Sequence, residues 1–378
     1  MKKSILRLFV VVIIFSLAMI SCGKNDEPGS KLSSEYDTGY SGNITVDKNG
    51  NYHAVYMRSI KNNYPDIQEK LMYVKKEGDN WQITELLNTS STVRTPMILN
   101  DSNNHLHVVF KEGKAIKYAT NQSGSWVFEN TGYNSDTSVI FKINSAGKIN
   151  IITSYENDLN FITNESGSWI KNKITDYSFT DKCGMVIDKN NKIHIAYEGY
   201  SISDTNYRLY YATNRTGSWV LSKIHDNEPN YNGIIMEVDS NDLLHILWVD
   251  DNDSFRLKYT TGLKIDGSGS WITEVVSTVS LNIVGQPYNL DLKLDSTNKP
   301  HIITTSHPKF IHIYKNGASW EEETVDTTST SGIQYISFVI NSNDDMKSIY
   351  QEYISKNSNL RFGFKSLVGS WQTDYIEK

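Results

Sequence analysis

The chain is poor in cysteine, proline and positive charge, and each shortage excludes something. It has 378 residues, of which 2 are cysteine and 7 are proline. The cysteines are Cys22 and Cys183. Two cysteines cannot supply the disulfide framework of a small exported domain, so stability has to come from a core. Scarce proline with 23 glycines and 23 tyrosines favours short strands joined by tight turns over a disordered or collagen-like chain. The formal net charge is −6. An acidic surface repels phosphate backbones, which argues against nucleic acid as a partner. Amphipathic helical periodicity is missing after the N-terminus, and so is any apolar run long enough to span a membrane.

The one long apolar run is Leu8–Ile20, preceded by Lys2, Lys3 and Arg7. A basic region, a short apolar stretch and then Ser21-Cys22 read as a secretory signal. The small residue before the cysteine resembles the lipobox of bacterial lipoproteins. That resemblance implies cleavage after residue 21, lipid attachment at Cys22 and residence in the outer membrane, on its periplasmic side or at the cell surface. Residues 22–35 are then a polar tether. Cleavage removes three basic residues and leaves 34 basic against 43 acidic side chains. Cys183 is expected to be a small buried apolar residue.

Residues 36–378 are repetitive. Trp81, Trp126, Trp169, Trp219, Trp271, Trp320 and Trp371 are separated by 45, 43, 50, 52, 49 and 51 residues. A period of this size marks a propeller or solenoid. Each unit opens with a strand, an Asx or Gly turn and a second strand, as in ITVDKNGNYHAVY (44–56) and MVIDKNNKIHIAY (185–197). A third strand such as RLYYAT (208–213) leads through a Gly-Ser-Trp turn into a fourth. Seven such units predict an all-β, seven-bladed β-propeller of four-stranded antiparallel blades. The strings ATNQSGSW (119–126), ITNESGSW (162–169) and ATNRTGSW (212–219) resemble the Asp-box of sialidase-like propellers, a hairpin between the third and fourth strands of a blade. Asn stands where that motif has Asp, and the glycine is one residue closer to the tryptophan. The tryptophan is expected to fold over its own hairpin as an apolar plug.

A histidine recurs in the second strand: His53, His107, His194, His245 and His301, with Asn150 and Lys347 in the same column. Equivalent positions of different blades lie at least about 10 Å apart, too far to share one metal ion. These histidines are read as structural, and neither a metal nor a cofactor is expected. Asp47-x-Asn49-x-Asn51 and Asp188-x-Asn190 lack the terminal Glu of a calcium loop and are read as turns.

The short uniform turns share one face of the ring, so the longer loops between strands two and three, and between blades, fall on the other. The expected ligand contacts are there. Residues 57–70 offer Arg58 and Tyr64; residues 198–208 offer Glu198, Tyr200, Tyr207 and Arg208; residues 248–256 offer Trp248, Asp250, Asp251, Asp253 and Arg256. Aromatic rings beside carboxylates suit sugars, the ring stacking on the apolar sugar face and the carboxylate accepting hydroxyl hydrogen bonds. The reading is a monomeric propeller that binds a glycan or a surface protein without catalysis. A polysaccharide-degrading enzyme, glycosidase or lyase, is the alternative, with Asp250, Asp251, Glu198 and Arg208 or Arg256 as acid, base and charge-stabilising groups. An envelope scaffold is the third possibility. The sialidase resemblance implies an arginine triad, for which Arg58, Arg94, Arg208, Arg256 and Arg361 are available.

Overall fold

The computed structural model describes residues 36–377 apart from 61–67, 79, 176–177, 202–203, 226–230, 251–252, 254, 277–288, 307, 328–331, 355–356 and 367–368. Residues 1–35, with the signal segment, Cys22 and the tether, lie outside the described residues, as do Tyr64 and Asp251.

Seven four-stranded antiparallel sheets follow one another along the chain: blades one to seven span 36–89, 93–134, 140–175, 178–225, 231–275, 290–327 and 333–377. Within every sheet the spatial order of strands equals their order in sequence. The inner strands are Tyr36–Val46, Val93–Asn100, Ile140–Ile143, Ser178–Ile187, Tyr231–Val238, Leu290–Leu294 and Ile333–Ile340. The second strands, such as Leu106–Glu112 and Leu244–Asp250, are buried along nearly their whole length. Both of their faces pack on neighbouring blades, which is why they read as continuous apolar runs rather than alternating ones. The outer strands are mostly exposed.

The inner strands surround an axial cavity of about 220 Å³, with Asn43, Met97, Ile140, Ile234, Asp291 and Ser337 in its wall. In five blades the inner strand slips register near the cavity. At four of these bulges one residue takes a positive φ: Ser41 (57°), Thr95 (47°), Gly233 (60°) and Tyr335 (52°). Bulges of this kind bend a strand and re-aim its side chains. Between blades four and five the inner backbones come so close that a Cβ on Gly184 would lie 2.6 Å from the Met236 nitrogen. Only glycine fits there.

Among the described residues no strand is exchanged between the first and last blades, and three polar links bind the inner strands around the closing seam. Asp291 Oδ2 accepts the Phe338 N–H at 2.8 Å. Ser337 Oγ accepts the Ile44 N–H at 3.2 Å and the Asn43 side-chain amide at 3.0 Å. Asn43 Oδ1 then accepts the Ile98 N–H at 2.8 Å. Blades two to five carry Met97, Ile140, Gly184 and Ile235 at the corresponding inner position, so these links belong to the closing arc alone.

The recurrent tryptophans lie against their own hairpins, as Trp81 under Lys76 and Trp320 under Lys315 show, and they also reach the neighbouring blade. Each meets, edge to face, the third-strand aromatic of the preceding blade: Trp126 on Tyr73, Trp169 on Tyr118, Trp219 on Phe161, Trp271 on Tyr211, Trp320 on Tyr259 and Trp371 on His312, at centroid distances of 5.3–5.8 Å. Trp81 on Phe362 at 5.0 Å carries the same contact across the closing seam. The turn asparagines serve the hairpin: Asn121, Asn164 and Asn214 accept the first N–H of the second strand at 2.7–2.8 Å.

The histidine column is hydrogen-bonded in place. Nδ1 of His53, His107 and His194 lies 2.5–2.7 Å from the hydroxyl of Tyr73, Tyr118 and Tyr211, and His245 meets Tyr259 in the same way. Nε2 faces the turn carboxylate of Asp47, Asp101, Asp188 or Asp239 at 3.4–3.5 Å. Burial pushes these tyrosines up, so their hydroxyls stay protonated and donate to Nδ1. That leaves Nε2–H to face the carboxylate. Asp47 Oδ1 also accepts the N–H groups of Asn49 and Asn51 at 2.8 Å, the geometry of an Asx turn. In blades three and seven, where the column holds Asn150 and Lys347, the turn residue is Asn144 or Asn341 rather than Asp.

Candidate functional site at the seam of blades four and five

The second strand of blade four, Ile193–Ser201, pairs with Asp204–Thr213 so that Tyr197 opposes Tyr210, Glu198 opposes Leu209 and Gly199 opposes Arg208. Opposed residues share a face and successive residues alternate. Arg208 therefore lies on the face of Tyr197 and Tyr210, which packs on blade three. Glu198 lies on the face of Ala196 and Leu209, which packs on blade five. In blade five, Trp248 opposes Lys258 and Asp250 opposes Arg256, and Trp248 belongs to the core shared with blade four. Glu198, Trp248, Asp250, Arg256 and Lys258 thus face one seam, whereas Arg208 is turned to the next. Strand alternation thus puts Glu198 and Arg208 on opposite faces of blade four.

Trp248 is the floor of this seam and not an exposed platform. It is 1% exposed, and its indole N–H donates to Thr260 Oγ1 at 2.9 Å. His225, at the end of the outer strand of blade four, lies with its ring 5.8 Å from the Trp248 ring. Glu198 is likewise 1% exposed. The outer part of the seam is charged: Lys258 Nζ sits 2.5 Å from Asp253 and 3.8 Å from Asp250, and Arg256 lies 3.6 Å from Asp253. The Lys258 ammonium holds the Asp253 carboxyl below its usual range. Asp250 Oδ1 accepts the Asp253 N–H at 3.1 Å and orders this turn. Tyr207 is 39% exposed and packs edge-on against Tyr200, with ring centroids 5.4 Å apart. The sequence reading passed over His225 and Lys258. Lys258 was legible as the residue opposite Trp248; His225 ends an outer strand with no spacing signal to mark it.

The five candidate arginines are dealt to five seams. Arg58 lies beside Tyr56, in the core shared with blade seven, with Nη2 3.4 Å from the Tyr56 hydroxyl. Arg94 Nη1 meets Glu69, a buried residue of blade one, at 2.8 and 2.9 Å. Arg361, between blades six and seven, contacts Asp326 at 3.0 Å and Glu352 at 3.2 Å while its guanidinium lies 4.5 Å from the Tyr375 ring. Tyr350, pushed up by burial, stays protonated and donates to Asp326 at 2.6 Å. Among the described residues, no group of three or more His, Cys, Asp and Glu is placed to hold a metal ion.

No protein-family model matches the chain, and no curated protein matches it. Solved structures do. A puromycin-hydrolyzing peptidase of Mycobacterium tuberculosis superposes with a TM-score of 0.59 at 7% identity, over 90% of this chain and 54% of the peptidase, so this chain spans about half of that protein. The polysaccharide lyase Uly1 gives 0.51 at 13% identity over 95% of this chain and 93% of the lyase. A protein of unknown function from Dyadobacter fermentans gives 0.50 at 12% identity over 91% and 95% of the two chains. At these identities the likeness shows the fold alone: the chain is similar to these proteins in being a β-propeller.

Proposed function

We propose that the protein is a lipid-anchored protein of the bacterial outer membrane whose propeller binds a glycan through the face carrying the long loops. The observation that carries this reading is the outer rim of blades four and five. There an exposed Tyr207 ring, braced by Tyr200, stands one blade away from the Asp253–Arg256–Lys258 charge cluster. A sugar presents an apolar ring face and hydroxyl edges, and a braced aromatic with fixed carboxylates and cations complements both. Holding these charges in mutual ion pairs suits recognition, because nothing has to be reorganised when the ligand docks. The Cys22 anchor rests on the lipobox-like N-terminus. The fold shared with a polysaccharide lyase is compatible with a carbohydrate ligand.

Glu198 favours a second reading. A buried carboxylate facing the same seam as His225 and Asp250 is the raw material of acid–base chemistry on a polysaccharide. A glycan-array screen of the full chain, followed by a product assay on each hit, separates the two. Binding without turnover supports the binder. On the binder reading Tyr207→Ala and Arg256→Ala each weaken the hit about ten-fold, while Ile272→Ala, on the exposed outer strand of blade five, leaves it unchanged. Equal affinity in all three variants would remove this rim from consideration. Turnover lost in Glu198→Gln would establish the enzyme.

A further inference from the structure

On the face of the short turns the closing seam differs from the other six in carrying a lysine in the histidine column; its turn Asn and third-strand Phe are shared with blade three, which has Asn144, Asn150 and Phe161. At the closing seam the second strand of blade seven carries Lys347 in place of histidine, the turn before it carries Asn341 in place of aspartate, and the third strand carries Phe362 in place of tyrosine. The hydrogen-bonded Asp-His-Tyr set that fills this level in blades one, two, four and five is gone. A pocket of about 330 Å³ takes its place, lined by Tyr52, Lys76, Lys347, Phe362 and Phe364 and floored by the Gly50-Asn51 turn. Its size is at the lower end for small-ligand sites. Lys76 Nζ lies 4.8 Å from the Trp81 ring centroid and 4.9 Å from that of Phe362; Lys347 Nζ lies 4.7 Å from Phe364 and 5.4 Å from Tyr52.

Both ammonium groups lack an ion-pair partner among the described residues, and the repeat explains one of them. Lysines of the same rank in blades six and seven, Lys315 and Lys365, are each paired to a glutamate of the preceding blade, Glu274 and Glu323. The blade preceding Lys76 offers Asp374 at that register, one methylene shorter, and no pair forms. Asp345, the acid that acts on Lys347, accepts from the Asn341 amide at 3.2 Å. Burial and the neighbouring Lys76 push the Lys347 amine down. Two cations without an ion pair against aromatic walls cost stability that ring contacts offset only in part.

We propose that this pocket binds an acidic sugar residue, with its carboxylate or sulfate between Lys76 and Lys347 and its ring against Tyr52 and Phe364. The site lies on the face opposite the rim of Tyr207 and Arg256, so its failure would leave the proposed function standing.

The test is calorimetric titration of the full chain with D-glucuronate, D-glucose and sodium sulfate. Saturable glucuronate binding is expected, about ten-fold tighter than either comparison ligand. Lys76→Gln and Lys347→Gln should each weaken it about ten-fold, and Lys315→Gln should leave it unchanged. Without ligand, Lys347→Gln should melt no lower than the wild type, because a partly buried charge beside Lys76 has been removed. Glucose or sulfate bound as tightly as glucuronate, no saturation, or unchanged affinity in a folded Lys76→Gln/Lys347→Gln double variant would each overturn the proposal. Should the double variant fail to fold, acetylation of the wild type decides. Glucuronate must shield Lys76 and Lys347 but not Lys315, and uniform labelling refutes the site.

Discussion

His301 and His312 of blade six show how much a single column position can carry. His301 Nδ1 meets His312 Nε2 at 2.9 Å, Asp295 stands 3.3 Å from His301, and Glu323 stands 2.7 Å from His312. Burial lowers His312 to about 4 against the pull of Glu323, and it also lowers His53, His107, His194, His245 and His301. An unfolded histidine takes up a proton near pH 6.5, while these resist it in the fold, so the unfolded chain binds more protons as the pH falls. Stability is therefore complete above about pH 6.5 and is lost on acidification, by up to about 1.4 kcal/mol per pH unit for each histidine still neutral. Urea unfolding at pH 7 and pH 5 checks this, and a flat profile between them would contradict it. Gly184 makes a second residue-scale prediction. Gly184→Ala puts a methyl group against the Met236 backbone and should destabilise the fold by about 2 kcal/mol or more, read from the same melts.

Strands and turns were largely legible in the sequence, because the Asn-Gly turns and the tryptophan period announce themselves chemically. What the tryptophans touch was not. Sequence spacing placed Trp126 over its own hairpin but gave no sign that the ring also meets Tyr73 of the preceding blade. Spacing within a unit carries no information about what lies across a seam. For the same reason the stretch 198–208 was read as one group of candidates, although strand alternation sends Glu198 and Arg208 to opposite faces. Trp248 looked like a platform because it begins a polar loop; its paired partner Lys258 and the blade-four core place it inside. If the tryptophans act between blades, Trp126→Ala should cost about 2–3 kcal/mol by removing a half-buried interface ring, and Trp126→Phe should recover part of it. Equal losses in the two variants would speak for a local role in the turn.

At the scale of the whole ring, closure depends on side chains and inner-strand packing, with Trp81 on Phe362 repeating at the seam the contact made at six other places. Each blade is one unbroken stretch of chain. A circular permutant opened between His225 and Tyr231, with residue 377 joined to residue 36 by a short linker, cuts no blade. It should fold to the same circular dichroism spectrum and melt within a few degrees of the parent. A permutant opened between Asn190 and Asn191, inside blade four, should be clearly less stable. Comparable melting of the two would mean that blade integrity is not what holds the ring.

A contiguous blade is also a unit of inheritance. Copying or deleting one stretch of about fifty codons would add or remove a complete sheet, together with the aromatic pair that joins it to its neighbour. Since a contact of this kind recurs at every junction, it cannot count. The number seven must be written at the hub, where Gly184 sets how closely two inner strands approach and where Asn43, Asp291 and Ser337 fit only one closing arc. Selection on sheet number would then act on a few axial positions and leave the rim free to vary.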